Sequence, residues 1–213
     1  MFGWNTKKST RPMRMMETTG AYDGGSVPVS HGLLATTRIA TAMGWRAINA
    51  IAIGDEVLTF DNGTQRVIDI QRTTLWVNAT HVPEHMWNVH IPAGALGNFE
   101  PLTMLPDQGV LIESDAAVDQ YGDPFAVVPA ASLSGVLGIT RQPPHQSIEV
   151  VTLFFANDQV IYAEGNLLTH FAARHVTLND MLTQTHSAYD VLGMSDAAFL
   201  AECMAIEKQG IAA

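Results

Sequence analysis

The sequence predicts a mainly β domain with a C-terminal helical appendage, and three observations support this fold class. From about Val27 to Phe171, short runs rich in Val, Ile and Phe alternate with turn-forming Gly, Pro, Asn and Asp, a pattern typical of strands. After residue 174, apolar residues recur at helical spacing instead. The residues before Val27 are polar, Gly-rich and weakly patterned. We therefore expect an N-terminal arm at 1–25, a β domain at 26–175 and a helical extension at 176–213.

The composition is that of a globular protein. Of the 213 residues, 47% are hydrophobic and 15% are charged, which suits a folded core better than a disordered chain. The formal net charge of −10 disfavours binding to nucleic acid. A single cysteine, Cys203, excludes an internal disulfide and cysteine-rich zinc sites. No apolar run is long enough to span a membrane.

The charges are distributed unevenly along the chain. The first sixteen residues, MFGWNTKKSTRPMRMM, carry four basic and no acidic side chains, and they lack the apolar core of a secretory signal. We expect a disordered basic arm, with the cytoplasm as the default location and export without a cleaved signal as the alternative. Between Arg72 and Arg141 the chain has seven acidic residues and no Lys or Arg. We interpret this stretch as a solvated acidic face, with a basic partner or a cation as alternatives.

The predicted β elements follow in order from a first strand in SHGLLATTRIAT. The strongest turn signal lies between EVLTF and QRVIDI, where the Asn-Gly of DNGT at 61–64 predicts a hairpin with a type I′ turn. Further strands are predicted in HMWNVHI, QGVLIES, FAVVP and IEVVTLFF, with a turn from Asp119 to Pro124.

Two helices are predicted after the strands, in TLNDMLTQTHSAYDVLG and in SDAAFLAECMAIEKQG. In the second, Ser195 is the expected N-cap and Gly210 the expected end. Its predicted buried side consists of Phe199, Leu200, Cys203, Met204 and Ile206. Cys203 is then a core thiol and not a nucleophile, because no activating neighbour is visible.

Two clusters contain potential metal ligands. His81, His85 and His90 lie close to Glu84, but Pro83 disfavours a helical face that would bring them together, so we interpret them as loop and strand histidines. The acidic stretch ESDAAVDQYGDP lacks the spacing of a calcium-binding loop, and a weak surface calcium site is the alternative there. We expect no metal and no cofactor. No phosphate-binding glycine loop or nucleophile elbow is found, so no small-molecule substrate is evident.

Several ordered blocks resemble the Hint (hedgehog/intein) domain family. TTRIAT and GWRAINAIAIGDEVLT are similar to the family's opening Cys-Phe-x-x-Gly-Thr-x-Ile stretch and to the Gly-Asp-x-Val-Leu stretch that follows it. VHIPAGALG, VVPAASLSG and SIEVVTLFFANDQVIYAEGNLLTHF resemble later blocks, particularly those of a bacterial type abundant in alphaproteobacteria. The likeness covers residues 27–175 and implies a compact, horseshoe-like β-fold whose two ends lie together.

The resemblance also implies self-cleavage or protein splicing through an acyl shift. In the family, a Cys, Ser or Thr at the first position attacks the preceding carbonyl, and the His of a Thr/Ser-x-x-His motif protonates the departing nitrogen. Counting back seven residues from Ile39 gives Gly32 at the nucleophile position. In LPDQGVL, Leu105 falls at the hydroxyl position and Gln108 at the histidine, and Gln159 falls at a late histidine.

These substitutions predict a degenerate Hint domain that lacks autoproteolysis and acts as a structural or protein-interaction module, with an unidentified protein partner. The alternative is an autoprocessing domain, in which Ser30 attacks the carbonyl of Val29 and cleaves the chain before Ser30 by an N–O acyl shift. The neighbouring His31 is poorly placed to assist, because adjacent residues on a strand point to opposite faces. The joint loss of three functional residue types favours the first hypothesis.

Overall fold

The structure is a computed structural model that describes residues 31–75, 82–145, 147–173 and 189–211. Strands account for most of the regular elements, and all of their pairings are antiparallel. In chain order the strands are β1 (Leu33–Leu34), β2 (Arg38–Thr41), β3 (Gly44–Ala47), β4 (Glu56–Leu58), β5 (Thr64–Arg66), β6 (Asp69–Leu75), β7 (Asn88–Ile91), β8 (Leu102–Met104), β9 (Gly109–Glu113), β10 (Phe125–Pro129), β11 (Thr140–Gln142), β12 (Ile148–Phe154), β13 (Gln159–Ala163) and β14 (Leu167–Phe171). The helices are α1 (Asp115–Tyr121) and α2 (Met194–Ile211). The prediction of a mainly β fold with a C-terminal helix is confirmed.

The strands form two sheets that share one core. The first sheet has the order β11-β7-β8-β1-β12-β6, and the second has the order β10-β9-β14-β13-β2-β4-β5 with β3 paired to β2. The predicted first strand is in fact two strands, because a tight turn with a hydrogen bond from the Thr37 N–H to the Leu34 carbonyl separates β1 from β2. One cluster of buried apolar side chains draws on both sheets and on α2. Each buried Leu or Ile contributes about 1.5–3 kcal/mol relative to exposure.

The two ends of the β domain lie inside the sheets and not at their edges. Strand β1 pairs with β8 on one side and β12 on the other, through Leu33 opposite Met104 and Val151. Strand β14 lies between β9 and β13. This topology brings the chain just before β1 close to the chain just before β9, which is the location of the candidate site.

The hairpin between β4 and β5 is present, but the predicted type I′ turn is wrong. Pairing ends at Leu58 and Thr64, which leaves a five-residue connection. The Thr59 side chain donates to the Gly63 carbonyl at 2.8 Å and accepts from the Asn62 N–H at 3.2 Å. The Thr59 hydroxyl thus bonds to backbone groups of the connection itself. These bonds stabilise a loop longer than the two-residue type I′ turn, because they offer the backbone an alternative to strand pairing.

Helix α1 covers the first half of the stretch from Asp119 to Pro124, for which we predicted a turn between strands. Ser114 caps its start by accepting from the Ala116 N–H at 3.3 Å, and Gly122 ends it with a φ of +77°. The serine N-cap and the following Ala-Ala-Val favour a helix. The turn is therefore confined to the residues after Tyr121.

Helix α2 buries two of the five predicted residues, Leu200 and Met204, but does not fully bury the other three. Its buried residues are Ala197, Leu200, Ala201, Met204 and Ala205. Phe199 and Ile206 remain 49% and 70% exposed, and Cys203 is only half-buried. The helix begins at Met194, one residue before the predicted N-cap, and continues past Gly210.

The small alanines on α2 explain this orientation, because they let the helix axis approach the underlying turn at Ala130–Leu133 more closely than larger side chains would. The other predicted helix covers 177–193, of which 177–188 lie outside the described residues and 189–193 are not helical. Over the described ranges, no helix combines the length and apolar character needed to cross a bilayer.

Candidate functional site

A buried hydrogen bond joins two of the residues that the sequence placed in the candidate site. The Gly32 N–H donates to Gln108 Oε1 at 2.6 Å, across 76 positions of sequence. Gln108 is 1% exposed. Gly32 precedes β1 and Gln108 precedes β9, so the pairing of these strands within their sheets fixes both ends of the contact.

The other end of the Gln108 carboxamide is held as firmly. Its Nε2 donates to the His170 carbonyl at 2.7 Å, to Thr169 Oγ1 at 2.8 Å and, more weakly, to the Gly109 carbonyl at 3.2 Å. These three acceptors define the orientation of the carboxamide, because only its nitrogen can donate. Gln108 thus ties the entry of β1 to β14.

Gly32 occupies a position with no room for a side chain. Its φ is +119°, a conformation that L-residues rarely adopt. A Cβ atom there would lie 2.7 Å from Thr152 Oγ1 and 2.7 Å from Val150 Cγ1, and 3.2 Å from the Val151 carbonyl oxygen. The neighbours belong to β12, which is paired on both sides, so a side chain at Gly32 would require Thr152 and Val150 to rotate and the Val151 carbonyl to shift slightly.

The other two candidate positions are placed differently. Leu105 is 1% exposed and packs in a small apolar cluster with Leu75, Val82 and Val150, close to the site but without a polar group to offer. Gln159 accepts from Asn62 Nδ2 at 3.1 Å and therefore faces the loop after β4. The structure brings together Gly32, Leu105 and Gln108, whereas Gln159 belongs to another contact.

His170 and Thr169 are site residues that the sequence reasoning missed. His170 is 9% exposed, and its Nε2 lies 3.8 Å from Asp158 Oδ2, too far for a hydrogen bond. Within the part of the chain that the structure describes, this Nε2 has no hydrogen-bond partner. The local signal is a Thr-His pair in the otherwise apolar strand LLTHF.

Burial governs the protonation of His170. Desolvation lowers the pKa of the imidazole, the Asp158 carboxylate opposes that shift, and the charge of His31 adds to it. The imidazole therefore tends to be neutral at neutral pH. Its ring also lies 5.8 Å from the ring of Tyr189, whose hydroxyl donates to Asp61. Burial and the neighbouring carboxylates raise the pKa of Tyr189.

The remaining sequence candidates either lie outside the described residues or have other surroundings. Ser30, the alternative nucleophile, and His81 lie outside the described residues. His85 is in a short 3-10 turn and His90 is in β7. In the described ranges, no three His, Cys, Asp or Glu side chains come together as metal ligands. The acidic stretch from Glu113 to Asp123 surrounds α1.

The arrangement can hold a peptide but offers little chemistry to it. The carboxamide of Gln108 fixes the amide nitrogen between His31 and Gly32, and a carboxamide does not transfer a proton near neutral pH. Gly32 provides no attacking atom. What the structure shows here is a hydrogen bond that holds this peptide in place.

The fold and the site first define the class of protein. It is a mainly β domain whose first and last strands lie inside its sheets and are linked by a buried hydrogen-bonded contact. The sequence then matches the family model for the Hint domain over residues 31–174, more than half of the chain. The chain belongs to the Hint domain family, as the motifs predicted.

Solved structures with similar folds include inteins and an intein-like domain. The bacterial intein-like domain from Clostridium thermocellum is 14% identical, with 66% of this chain and 98% of that chain covered and a TM-score of 0.47. The gp41-1 intein is 16% identical, with coverages of 65% and 97% and a TM-score of 0.42. No curated protein matches the chain. Family membership rests on the sequence match.

Proposed function

We propose that this Hint domain does not process itself and is retained as a structural scaffold. The observation that carries the proposal is the buried hydrogen bond from the Gly32 N–H to Gln108 Oε1 at 2.6 Å. By the family motifs, these residues stand where a nucleophile and a proton-donating histidine would meet. The two sequence positions are in contact, as the family motifs lead one to expect, but they carry neither the nucleophile nor the imidazole that the reaction needs.

Proton transfer is the first missing requirement. An acyl shift breaks the bond between a carbonyl carbon and an amide nitrogen, and the nitrogen must gain a proton to leave. Gln108 presents its oxygen to that nitrogen and accepts a hydrogen bond from the N–H already there, while its own N–H groups donate to the His170 carbonyl and Thr169. An imidazole at this position would reverse the direction of donation.

Space for a nucleophile is the second missing requirement. The φ of +119° and the 2.7 Å approaches to the Thr152 and Val150 side chains disfavour a residue with a thiol or hydroxyl at Gly32 unless these side chains rotate and the backbone relaxes. Both requirements are absent at one contact, which supports loss of self-cleavage at the peptide bond between His31 and Gly32.

Self-cleavage before Ser30 is the second candidate function. One observation favours it: the charge of His31 contributes to the lowered pKa of His170, so a buried imidazole lies near this part of the chain. In that reaction Ser30 Oγ would bond to the Val29 carbonyl carbon and the amide nitrogen would leave with a proton. Water would then hydrolyse the ester and release a new Val29 carboxylate.

Intact mass spectrometry of the full chain tests the proposal. The protein is incubated at neutral pH alone, with a thiol, and with hydroxylamine, which cleaves esters and thioesters. We expect the uncut mass under all three conditions. A fragment that begins at Ser30, or at Gly32, would overturn the proposal.

A serine pair supplies the matched control. If a fragment forms, Ser30→Ala should abolish it and Ser26→Ala, four residues upstream, should not. That pattern would establish the acyl shift at Ser30. Cleavage that survives both substitutions would instead indicate a contaminating protease. The intact mass of a repurified sample would then decide whether the chain stays uncut.

A further inference from the structure

A groove lies between the C-terminal end of α2 and the ends of β9 and β14, away from the Gly32 contact. Its volume is about 460 Å³. Apolar side chains form its floor, among them Leu111, Leu168 and Met204. Phe60 and Phe125 form part of the wall, with their rings edge to face at 5.1 Å between centroids, and Phe125 stays 36% exposed. The groove therefore offers an apolar surface that a partner side chain could cover.

Acidic side chains line the rim of this groove. Glu113, Asp115 and Glu207 contribute three carboxylates, against the single ammonium group of Lys208 among the lining residues. Lys208 Nζ is directed to the Ala95 carbonyl at 3.4 Å, and Glu207 accepts from the Ser114 hydroxyl at 3.0 Å. Glu113 and Asp115 are exposed. An apolar floor with an excess of negative charge suits a segment that combines basic and large apolar side chains.

We propose that residues 1–16 of this chain, the segment MFGWNTKKSTRPMRMM, dock in this groove. The segment carries Lys7, Lys8, Arg11 and Arg14 and no acidic residue. Its Phe, Trp and Met side chains match the apolar floor, and aromatic rings favour basic partners through cation–π contacts.

The connecting chain is long enough for this contact. Met16 lies fifteen positions before His31, and this connection can extend to about 50 Å, whereas a domain of this size is roughly 40 Å across. Tethering also gives the segment a local concentration on the order of millimolar. A weak electrostatic contact is then well populated within one chain. Because cleavage before Ser30 would release this segment, the docking rests on the proposed absence of self-cleavage.

Zero-length carbodiimide coupling of the full chain tests the docking, because it joins a lysine amine only to a carboxylate in contact with it. An equal mixture of unlabelled and ¹⁵N-labelled protein is coupled at low salt, digested and analysed by mass spectrometry. We expect links from Lys7 or Lys8 to Glu113, Asp115 or Glu207, within chains of one isotope. Links to Glu84 and Glu149 should be rare. Both residues are also exposed, but Glu84 lies just before β7 and Glu149 lies in β12, strands of the first sheet, whereas the groove adjoins the second.

Matched variants sharpen the result. Glu113→Gln with Glu207→Gln should lower the yield of links to Asp115 about fivefold to tenfold, since each exposed charge pair contributes modestly, whereas Glu84→Gln with Glu149→Gln should leave it unchanged. Links that connect the two isotopes would overturn docking within one chain. Links spread evenly over the groove and the control acids, or no links at all, would overturn the groove as the site. Intact mass reports self-cleavage separately, so failure of the docking in an uncut chain can be told from failure of the proposed function.

Discussion

Substitution of Gly32 by alanine tests the claim that this position cannot carry a side chain. A non-glycine residue held at a φ of +119° costs about 1–3 kcal/mol in backbone strain. The Cβ atom would also press on Thr152 and Val150 at 2.7 Å, and overpacking of this kind costs about 1–3 kcal/mol. We expect Gly32→Ala to lower the free energy of unfolding by the sum, about 2–6 kcal/mol.

Gly44→Ala separates the two contributions. Gly44 has a φ of +95°, and no atom lies within 4 Å of the position that an alanine Cβ would take there, so this substitution incurs backbone strain without steric overlap. Urea unfolding followed by circular dichroism measures both variants. With a slope of about 2 kcal/mol per molar urea, the midpoint of Gly32→Ala should lie about 0.5–1.5 M below that of Gly44→Ala. Equal midpoints would refute the steric argument, and with it the exclusion of a nucleophile at this position.

Three further predictions concern other buried groups. Gln108→Ala should lower the free energy of unfolding by about 2–4 kcal/mol in the same urea assay, because it leaves a buried N–H and two buried carbonyls without their partner. A change below about 1 kcal/mol, the size expected for a solvent-exposed hydrogen bond, would contradict the burial of these hydrogen bonds. Burial lowers the pKa of His170, so the unfolded chain binds the extra proton first. Stability should therefore be full above about pH 6.5 and fall as the pH decreases toward the folded pKa, and His170→Gln should flatten this slope. Met204→Ala should cost about 2–4 kcal/mol, whereas Ile206→Ala should stay within about 0.5 kcal/mol, and a larger cost for Ile206→Ala would contradict the observed burial of Met204 and exposure of Ile206.

The predictable part of the fold was the part encoded locally. Short runs rich in Val and Ile, bounded by turn residues, identify strands such as β9 and β12. Each run can be recognised from its own few residues. The face of α2 could not be obtained in this way. Phe199 is more hydrophobic than Ala197 and Ala201, yet the alanines are buried, because the distance between a helix and its support is a property of the whole fold and favours small residues there.

Part of the candidate site could also be predicted from sequence, namely the part that lies in recognisable motifs. The family motifs placed Gly32 and Gln108 in one reaction, and the 2.6 Å contact brings them together in space. Thr169 could not be linked to them from sequence, because its role depends on β14 pairing with β9 through Thr169 opposite Val110. That pairing joins strands far apart in the chain, and no local pattern contains it.

The central position of β1 has a consequence for how the chain folds. Leu33 pairs with Val151, and the Arg38 N–H bonds to the Glu164 carboxylate across 126 positions. Contacts this distant in sequence slow folding, typically to the range of milliseconds to seconds. During synthesis, the strands near the N-terminus must wait for β12–β14 to leave the ribosome before the sheets can close. The first residues of the domain to be made are thus among the last to find their partners, and chains that stop before residue 171 should not reach the native fold.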